Sequence, residues 1–499
     1  VRFLAAIAGG VAMWLANEPT AWWALAFPAI ALLWLIVNGR GAGRAFGLGS
    51  VCGAAFFLPL FHWATPAAGT ALAQIALGLV EAIYIGVLAG VWALLSRLQI
   101  RDRPGVSIAI QIVTATLAWL AMEQLRSSWP FGGMPWGTLA FTMVDTPFAR
   151  LAPYGSTTAV GGIVIVISLL VAHALTAGFF RGSVCVALAA MLAVVPIFVP
   201  VGGRSASTVK VAVVQGGPAS PQAESRALAV TDNHVEATKE LLERSEQPDF
   251  IVWPESSSDR DVRKDPTAGD AVTQLVEHAG VPLVMGTQEY IEQGRYNDVL
   301  VIEPQRGVTD RYSKQHPVPF GEYIPHRDFF RQFTDAVDLV SVDMLAGQGP
   351  AIVRVPTAGG ELVLGVPICF EVAYTDIVAD AVTQGAQLLV VPTNNASFTG
   401  TGLSPQQFAM SRFRAIEHSR TVIQVSTTAI TGAINSRGRV FYEADQNVPA
   451  AEVLDIELQT KVTFAARSSR ERTFIIYILG AVSAMVALAH SCRERRGQR

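Results

Sequence analysis

Residues 1–201 are almost entirely apolar stretches separated by short breaks of glycine, proline, polar residues and arginine, and no ordinary soluble core absorbs such a run. The stretches lie at 3–16, 21–38, 45–64, 70–96, 106–125, 156–180 and 183–201, with a further one at 473–491. Most approach the roughly 20 residues that carry a helix across a bilayer. The first is short and is expected to tilt little or to form a tight hairpin with the second. An α-helical transmembrane bundle of about eight spans is therefore predicted, and an apolar content of 51% agrees with it. No small-residue cleavage site follows the first stretch, so a removed signal peptide is not expected.

Arginine placement orients the bundle. Arg2, then Arg40 and Arg44, then Arg97, Arg101 and Arg103, then Arg181, and finally Arg493, Arg495, Arg496 and Arg499 fall on alternate connections. Eight spans put all of these on one side, which the positive-inside rule makes cytoplasmic. Both termini are then expected in the cytoplasm, and the polar region 202–472 outside. The expected divisions are 1–201 (helices), 202–472 (extracytoplasmic domain) and 473–499 (last helix and basic tail). One outer connection is unusual: residues 123–136, EQLRSSWPFGGMPW, place Glu123 and Arg126 at i,i+3 spacing before an aromatic, Gly/Pro-rich run. It reads either as an interface belt with a surface ion pair, or as a segment that supports the outer domain or guides a lipid toward it.

Residues 202–472 have room for a substantial core. Strand-like runs recur at Val209–Gln215, Phe250–Glu255, Pro282–Tyr290, Asn297–Glu303, Gly307–Tyr312, Glu361–Cys369, Gln387–Pro392 and Thr421–Ser426. Helical patterns lie between them, one over 224–245 and another opened by Ser404 as cap with Pro405 first in the helix. Strands alternating with helices predict an α/β layered domain. Phe329, Phe330 and Phe333 sit at helical spacing. Such a stripe is more often core, although near a bilayer it could dip into the interface.

The chemistry centres on Cys369, at the end of the apolar run VLGVPIC. Alone, a cysteine there is better read as packing. Two other stretches change this: the run FIVWPE ends in Glu255, and the loop RYSKQHPVPFGE carries Lys314 and Glu322. A thiol needs a base and a cation to attack an ester or amide near neutral pH. Glu255 could take the proton, and Lys314 could stabilise thiolate and oxyanion with a backbone N–H near Cys369 as second donor. Glu322 and Glu371 could hold the lysine or an attacking amine. Each also has a plain reading as a strand-end charge, a solvated lysine or a turn residue. The other cysteines, 52, 185 and 492, form no metal-ligand spacing, and the eight histidines are scattered, so neither metal nor cofactor is expected. No basic stripe suggests nucleic acid.

These motifs together resemble the nitrilase superfamily. VKVAVVQ at 209–215, VWPES, YSKQHPVPFGEYIP, VPICFE and QQFAMSRFRAIEHSR at 406–420 occur in that superfamily's order. With spans before the domain and one after it, the whole length resembles the membrane-embedded branch, the apolipoprotein N-acyltransferase family, and WPFGGMPW resembles its membrane part. The resemblance implies an α-β-β-α sandwich with a Glu255–Lys314–Cys369 triad supported by Glu322 and Glu371. It implies a bacterial cytoplasmic-membrane enzyme that moves a fatty acyl group from a phospholipid, through a Cys369 thioester, to the α-amino group of a diacylglyceryl-cysteine lipoprotein. The pattern departs from the family at Phe370, often tyrosine, at 393–398, which lacks the Trp-Phe pairing, and at 215–218. The alternatives are a membrane-tethered amidase using the same triad on small amides, and a non-catalytic envelope protein or transporter. The latter is disfavoured because the spans hold few ionisable residues, chiefly Glu81 and Glu123.

Overall fold

The structure, a computed structural model, describes all residues except 101, 221, 224, 245, 246, 498 and 499, together with the side chains of 493–497. Arg101 and Arg499 of the charge pattern, and the side chains of Arg493, Arg495 and Arg496, lie outside the described residues. The chain forms two compact units, residues 1–200 with 468–499, and residues 201–467.

The first unit is helical. Among the described residues six helices are long and apolar enough to cross a membrane: Ala42–Leu60, Ala71–Leu95, Pro104–Arg126, Pro147–Thr176, Phe179–Phe198 and Ser469–Cys492. The first two expected spans are shorter helices, Arg2–Leu15 and Trp23–Val37. The span expected from 156 begins earlier, as a 3-10 turn at Pro147–Leu151 that runs into a helix broken at Gly155 and Ser156. With no hydrophobic drive between helices in lipid, small residues decide which ones touch. A Cβ at Gly49 would lie 2.4 Å from that of Ala89, and one at Gly53 would lie 2.7 Å from Ala82 Cα, so these glycines let two long helices meet backbone to backbone.

Arg126 is not the surface partner of Glu123 that its spacing suggested. It is 1% exposed and pairs with Glu81 at 3.1 Å, while also donating to the carbonyls of Met134 (2.8 Å) and Trp136 (2.7 Å). Glu123 accepts from Leu139 N at 2.9 Å. The connection folds back over the helix end, and the buried guanidinium consumes its carbonyls, which i,i+3 spacing alone could not reveal.

The second unit is a sandwich of two six-stranded sheets. Its strands are β1 (Ser207–Gln215), β2 (Phe250–Val252), β3 (Leu283–Ile291), β4 (Gly294–Glu303), β5 (Gly307–Ser313), β6 (Ile352–Thr357), β7 (Gly360–Gly365), β8 (Leu388–Thr393), β9 (Val422–Ser426), β10 (Gly432–Ile434), β11 (Val440–Glu443) and β12 (Ala450–Leu458). One sheet runs β12-β1-β2-β3-β4-β5 and the other β11-β10-β9-β8-β7-β6. The parallel central pairs are buried on both faces, which is why they read as unbroken apolar runs. On the outer face of the first sheet Ile251, Trp253, Leu283 and Met285 meet Leu241, Val272, Leu275 and Val276 of two helices, Arg226–Arg244 and Pro266–Ala279. The latter starts at Asp265, whose carboxylate accepts from Thr267 N and Ala268 N, and stops at left-handed Gly280. Helices Thr375–Thr383 and Leu403–His418 cover the second sheet, completing the expected α-β-β-α layering.

Three local expectations need correction. The helix expected to be capped by Ser404 starts at Leu403, whose N–H is taken by the Thr401 hydroxyl at 3.3 Å. The strand expected to reach Cys369 ends at Gly365: Pro367 has no N–H, and Ile368 N is taken by the Glu371 carboxylate. The phenylalanine stripe is mostly outside the core, Phe329 being 54% and Phe333 70% exposed, because the helix there is only the four residues Arg327–Phe330.

Candidate active site

Glu255 follows β2 by three residues and stands where Trp253-Pro254 turns away from the sheet. The turn is possible because Gly286 of β3 lies beneath it: a Cβ there would fall 2.6 Å from both Glu255 Cα and Pro254 O. Gly286→Ala should lower stability by about 1–3 kcal/mol through overpacking and displace the Glu255 carboxylate. Thermal melts would check it, and a variant as stable as wild type would contradict it.

Lys314 follows β5, with its own N–H on Asn297 O (2.9 Å) and its carbonyl accepting from Gly347 N (2.7 Å). Its ammonium is fully buried, 2.6 Å from Glu322 Oε1 and 3.5 Å from Glu255 Oε1. Glu322 is fixed in turn by Val318 N at 2.7 Å. Glu255 Oε1 also accepts from Asn297 Nδ2 at 2.6 Å, and Oε2 from Asn394 N at 2.8 Å. One cation thus lies between two carboxylates that are fixed by other donors.

Cys369 opens the 3-10 turn Cys369–Ala373 with φ of +53°. A side chain other than glycine pays of order 1 kcal/mol or more for that left-handed conformation, so its surroundings must impose it. Glu371 does so from one side. Its carboxylate accepts from Ile368 N (2.8 Å), Gln315 N (2.7 Å), His316 N (3.1 Å) and Tyr312 OH (2.9 Å), tying the loop before the cysteine to the loop after the lysine. From the other side the fully buried Arg414 donates to Val372 O and Ala373 O, both at 2.8 Å, and pairs with Glu417.

Cys369 is 5% exposed, and its sulfur is in contact with two amides. Gln407 Nε2 donates to Sγ at 3.5 Å, the thiol faces Asn395 Oδ1 at 4.0 Å, and Asn395 Nδ2 donates to Gln407 Oε1 at 2.7 Å. Burial, and next the Glu255 carboxylate, push the thiol well above its ordinary value, while Lys314 and the Gln407 hydrogen bond pull against this. Burial alone would lower Lys314, but Glu322, Glu255 and the Cys369 sulfur outweigh it and hold the ammonium above the usual lysine range. Burial raises Glu371 to about 6, against Lys314 and the backbone donors around it. The balance keeps the sulfur as a thiol, so a base would have to take its proton before it could act as a nucleophile.

Of the five residues expected from the sequence, Glu255, Lys314 and Glu322 form one hydrogen-bonded chain whose charges act on the Cys369 thiol. Glu371 braces the backbone that carries Lys314 and Cys369. Asn297, Tyr312, Asn395, Gln407 and Arg414 belong to the same site and were not singled out. Polar residues inside strands and on the buried face of a helix were the available signal, Gln407 and Arg414 both being fully buried.

Residues 9–170 match the family model described as the apolipoprotein N-acyltransferase N-terminal domain, and residues 210–467 match that of the carbon-nitrogen hydrolases. An apolipoprotein N-acyltransferase of Mycolicibacterium smegmatis is 33% identical, over 98% of this chain and 85% of the relative. One from Pseudomonas aeruginosa is 28% identical over 89% of this chain and 87% of its own, and one from Vibrio cholerae 24% identical over 89% of each. Among solved structures, a Saccharomyces cerevisiae member of branch 10 of the nitrilase superfamily is 18% identical, covering 54% of this chain and 94% of its own, with a TM-score of 0.38. An amidase from Nesterenkonia sp. is 16% identical, covering 55% and 98%, with a TM-score of 0.38.

Proposed function

The chain belongs to the apolipoprotein N-acyltransferase family, and on that premise we propose that Cys369 carries a fatty acyl group from a membrane phospholipid to the N-terminal amine of a diacylglyceryl-cysteine lipoprotein. The observation that carries the assignment is the Glu255–Lys314–Glu322 chain, whose charges act on the thiol of a cysteine held in a left-handed turn.

In the first step Sγ attacks the ester carbonyl carbon while Glu255 takes the thiol proton. The resulting oxyanion develops beside the Lys314 ammonium, which needs no reorganisation because Glu322 and Glu255 already hold it. The C–O bond breaks, Glu255 returns the proton to the leaving lysophospholipid oxygen, and a thioester remains. In the second step the lipoprotein amine attacks the thioester, Glu255 takes the amine proton, and the C–S bond breaks as the amide forms and the thiol is reprotonated. Burial of Cys369 supports this reading, since an exposed thioester would be lost to water.

On this reading the second unit lies on the extracytoplasmic side of the bacterial inner membrane, with both termini in the cytoplasm. The basic connections around Arg40 and Arg97 support it, because Arg97 donates to Arg40 O at 2.6 Å and so both lie at one end of the helical unit.

Purified protein incubated with phosphatidylethanolamine vesicles should gain one fatty acyl mass on the Cys369 peptide, lost again on addition of a diacylglyceryl-cysteine peptide. Folded protein that acquires no adduct yet releases ammonia from simple amides would replace this reading with an amidase.

A further inference from the structure

The triad accounts for a base and a cation but leaves the sulfur's other neighbours without a role. Asn395 lies in the loop after β8 and Gln407 on the buried face of the helix Leu403–His418, so both approach from a different part of the fold than Glu255 and Lys314. Both are fully buried, where an amide of no use would still need partners for every donor and acceptor. Each uses one end on the other and one end on the sulfur: Asn395 Nδ2 occupies Gln407 Oε1, which leaves Gln407 Nε2 facing Sγ and Asn395 Oδ1 facing the thiol proton. The sulfur thus sees one acceptor and one donor. A thiol can use the first and a thiolate the second, so the pair serves both protonation states without moving.

Neutrality matters here. Glu255, Glu322 and Lys314 sum to a net charge of about −1 when all are ionised, which opposes charge on sulfur, and a further carboxylate would deepen that opposition. The neighbouring residue Asn394 donates its backbone N–H to Glu255 at 2.8 Å, so one short segment positions both the base and the group behind the sulfur.

We propose that Asn395 and Gln407 form an amide relay in which Gln407 donates to the Cys369 thiolate as it forms, making Gln407 a catalytic residue and Asn395 the positioning residue that keeps its N–H turned toward the sulfur. The proposal rests on the reading of Cys369 as nucleophile. Its test does not require acyl transfer, so failure of one is separable from failure of the other.

The full-length protein in detergent is treated with iodoacetamide across a pH series, and modification of the Cys369 peptide is followed by mass spectrometry. The S–C bond forms from the thiolate, iodide leaves, and the thiol proton goes to solvent, so rate against pH reports the thiolate fraction. Gln407→Leu should move the midpoint upward by about one pH unit, a roughly ten-fold loss of rate at neutral pH, as expected for one hydrogen bond to a charged group. Gln407→Glu keeps the shape and the Asn395 bond but replaces the donor by a carboxylate, and should move it further. Asn395→Leu should shift it in the same direction by less. A role in packing alone would change the plateau rate at high pH and leave the midpoint in place. Midpoints of Gln407→Leu and Gln407→Glu that coincide with wild type, with thermal melts showing folded protein, would overturn the relay. Should Gln407→Leu fail to fold, the near-isosteric and uncharged Gln407→Met, which also lacks the donor, decides the matter, because Gln407→Glu adds a charge that raises the midpoint by itself.

Discussion

Lys314→Met should lose acyl-enzyme formation by about 10²–10³-fold, the scale measured when one preorganised oxyanion donor is removed, and lose stability at the same time. The ammonium is fully buried and holds apart two carboxylates, at 2.6 and 3.5 Å, that its removal would leave facing each other. Breaking a buried pair by deleting one partner costs roughly 3–5 kcal/mol, because the remaining charge has lost both water and counter-ion. Methionine fills the volume, so the loss is electrostatic and not a cavity effect. Single-turnover acylation, read as adduct on Cys369, together with a denaturant titration would separate the two losses. A normal amount of acyl-enzyme in this variant would remove the oxyanion role from Lys314. A stability change within about 0.5 kcal/mol, the range of ordinary surface substitutions, would show that the carboxylates do not depend on it.

Cys369→Ser should abolish transfer to below about one part in 10⁴, in line with removal of a nucleophile from a concerted catalytic set. Serine matches the thiol in shape and can accept from Gln407, so the turn and the φ of +53° need not change and thermal stability should stay near wild type. What changes is the proton. A buried hydroxyl beside Glu255, Glu322 and Lys314 holds it far more tightly than a thiol does, and the geometry offers a carboxylate base in place of the imidazole that activates serine elsewhere. Transfer of labelled acyl chains to a diacylglyceryl-cysteine peptide is the measurement. Retention of even a tenth of wild-type turnover by a well-folded Cys369→Ser variant would show that the thioester is not on the path.

The layering of the soluble unit was legible because its central strands are short apolar runs with β-branched residues, and the helices between them carry apolar residues at helical spacing. β6, β10, β11 and β12 escaped notice. β11 and β12 mix exposed and buried positions, and β10 is three residues long, so none shows a run that stands out. Arg126 was misassigned because its nearest carboxylate in sequence, Glu123, competes with Glu81, 45 residues away in sequence and brought in only by helix packing.

Residue types and their order along the chain determined two things by themselves. Apolar length, with arginine punctuation, dictated a helical membrane unit, since backbone polar groups in lipid must satisfy themselves within each segment. Motif order, through the resemblance it carries, marked Glu255, Lys314, Glu322, Cys369 and Glu371 as a set: Glu255 and Cys369 each close an apolar run, whereas Lys314 and Glu322 lie in a Pro/Gly-rich loop that stands out only by its match to the superfamily. Only the tertiary structure decided what surrounds the sulfur. Asn395 and Gln407 are ordinary in sequence, and their meaning comes from a loop and a helix meeting where water is excluded and each polar atom must find a partner. Distances of that kind depend on how two sheets and their covering helices close on one another, which no local pattern encodes.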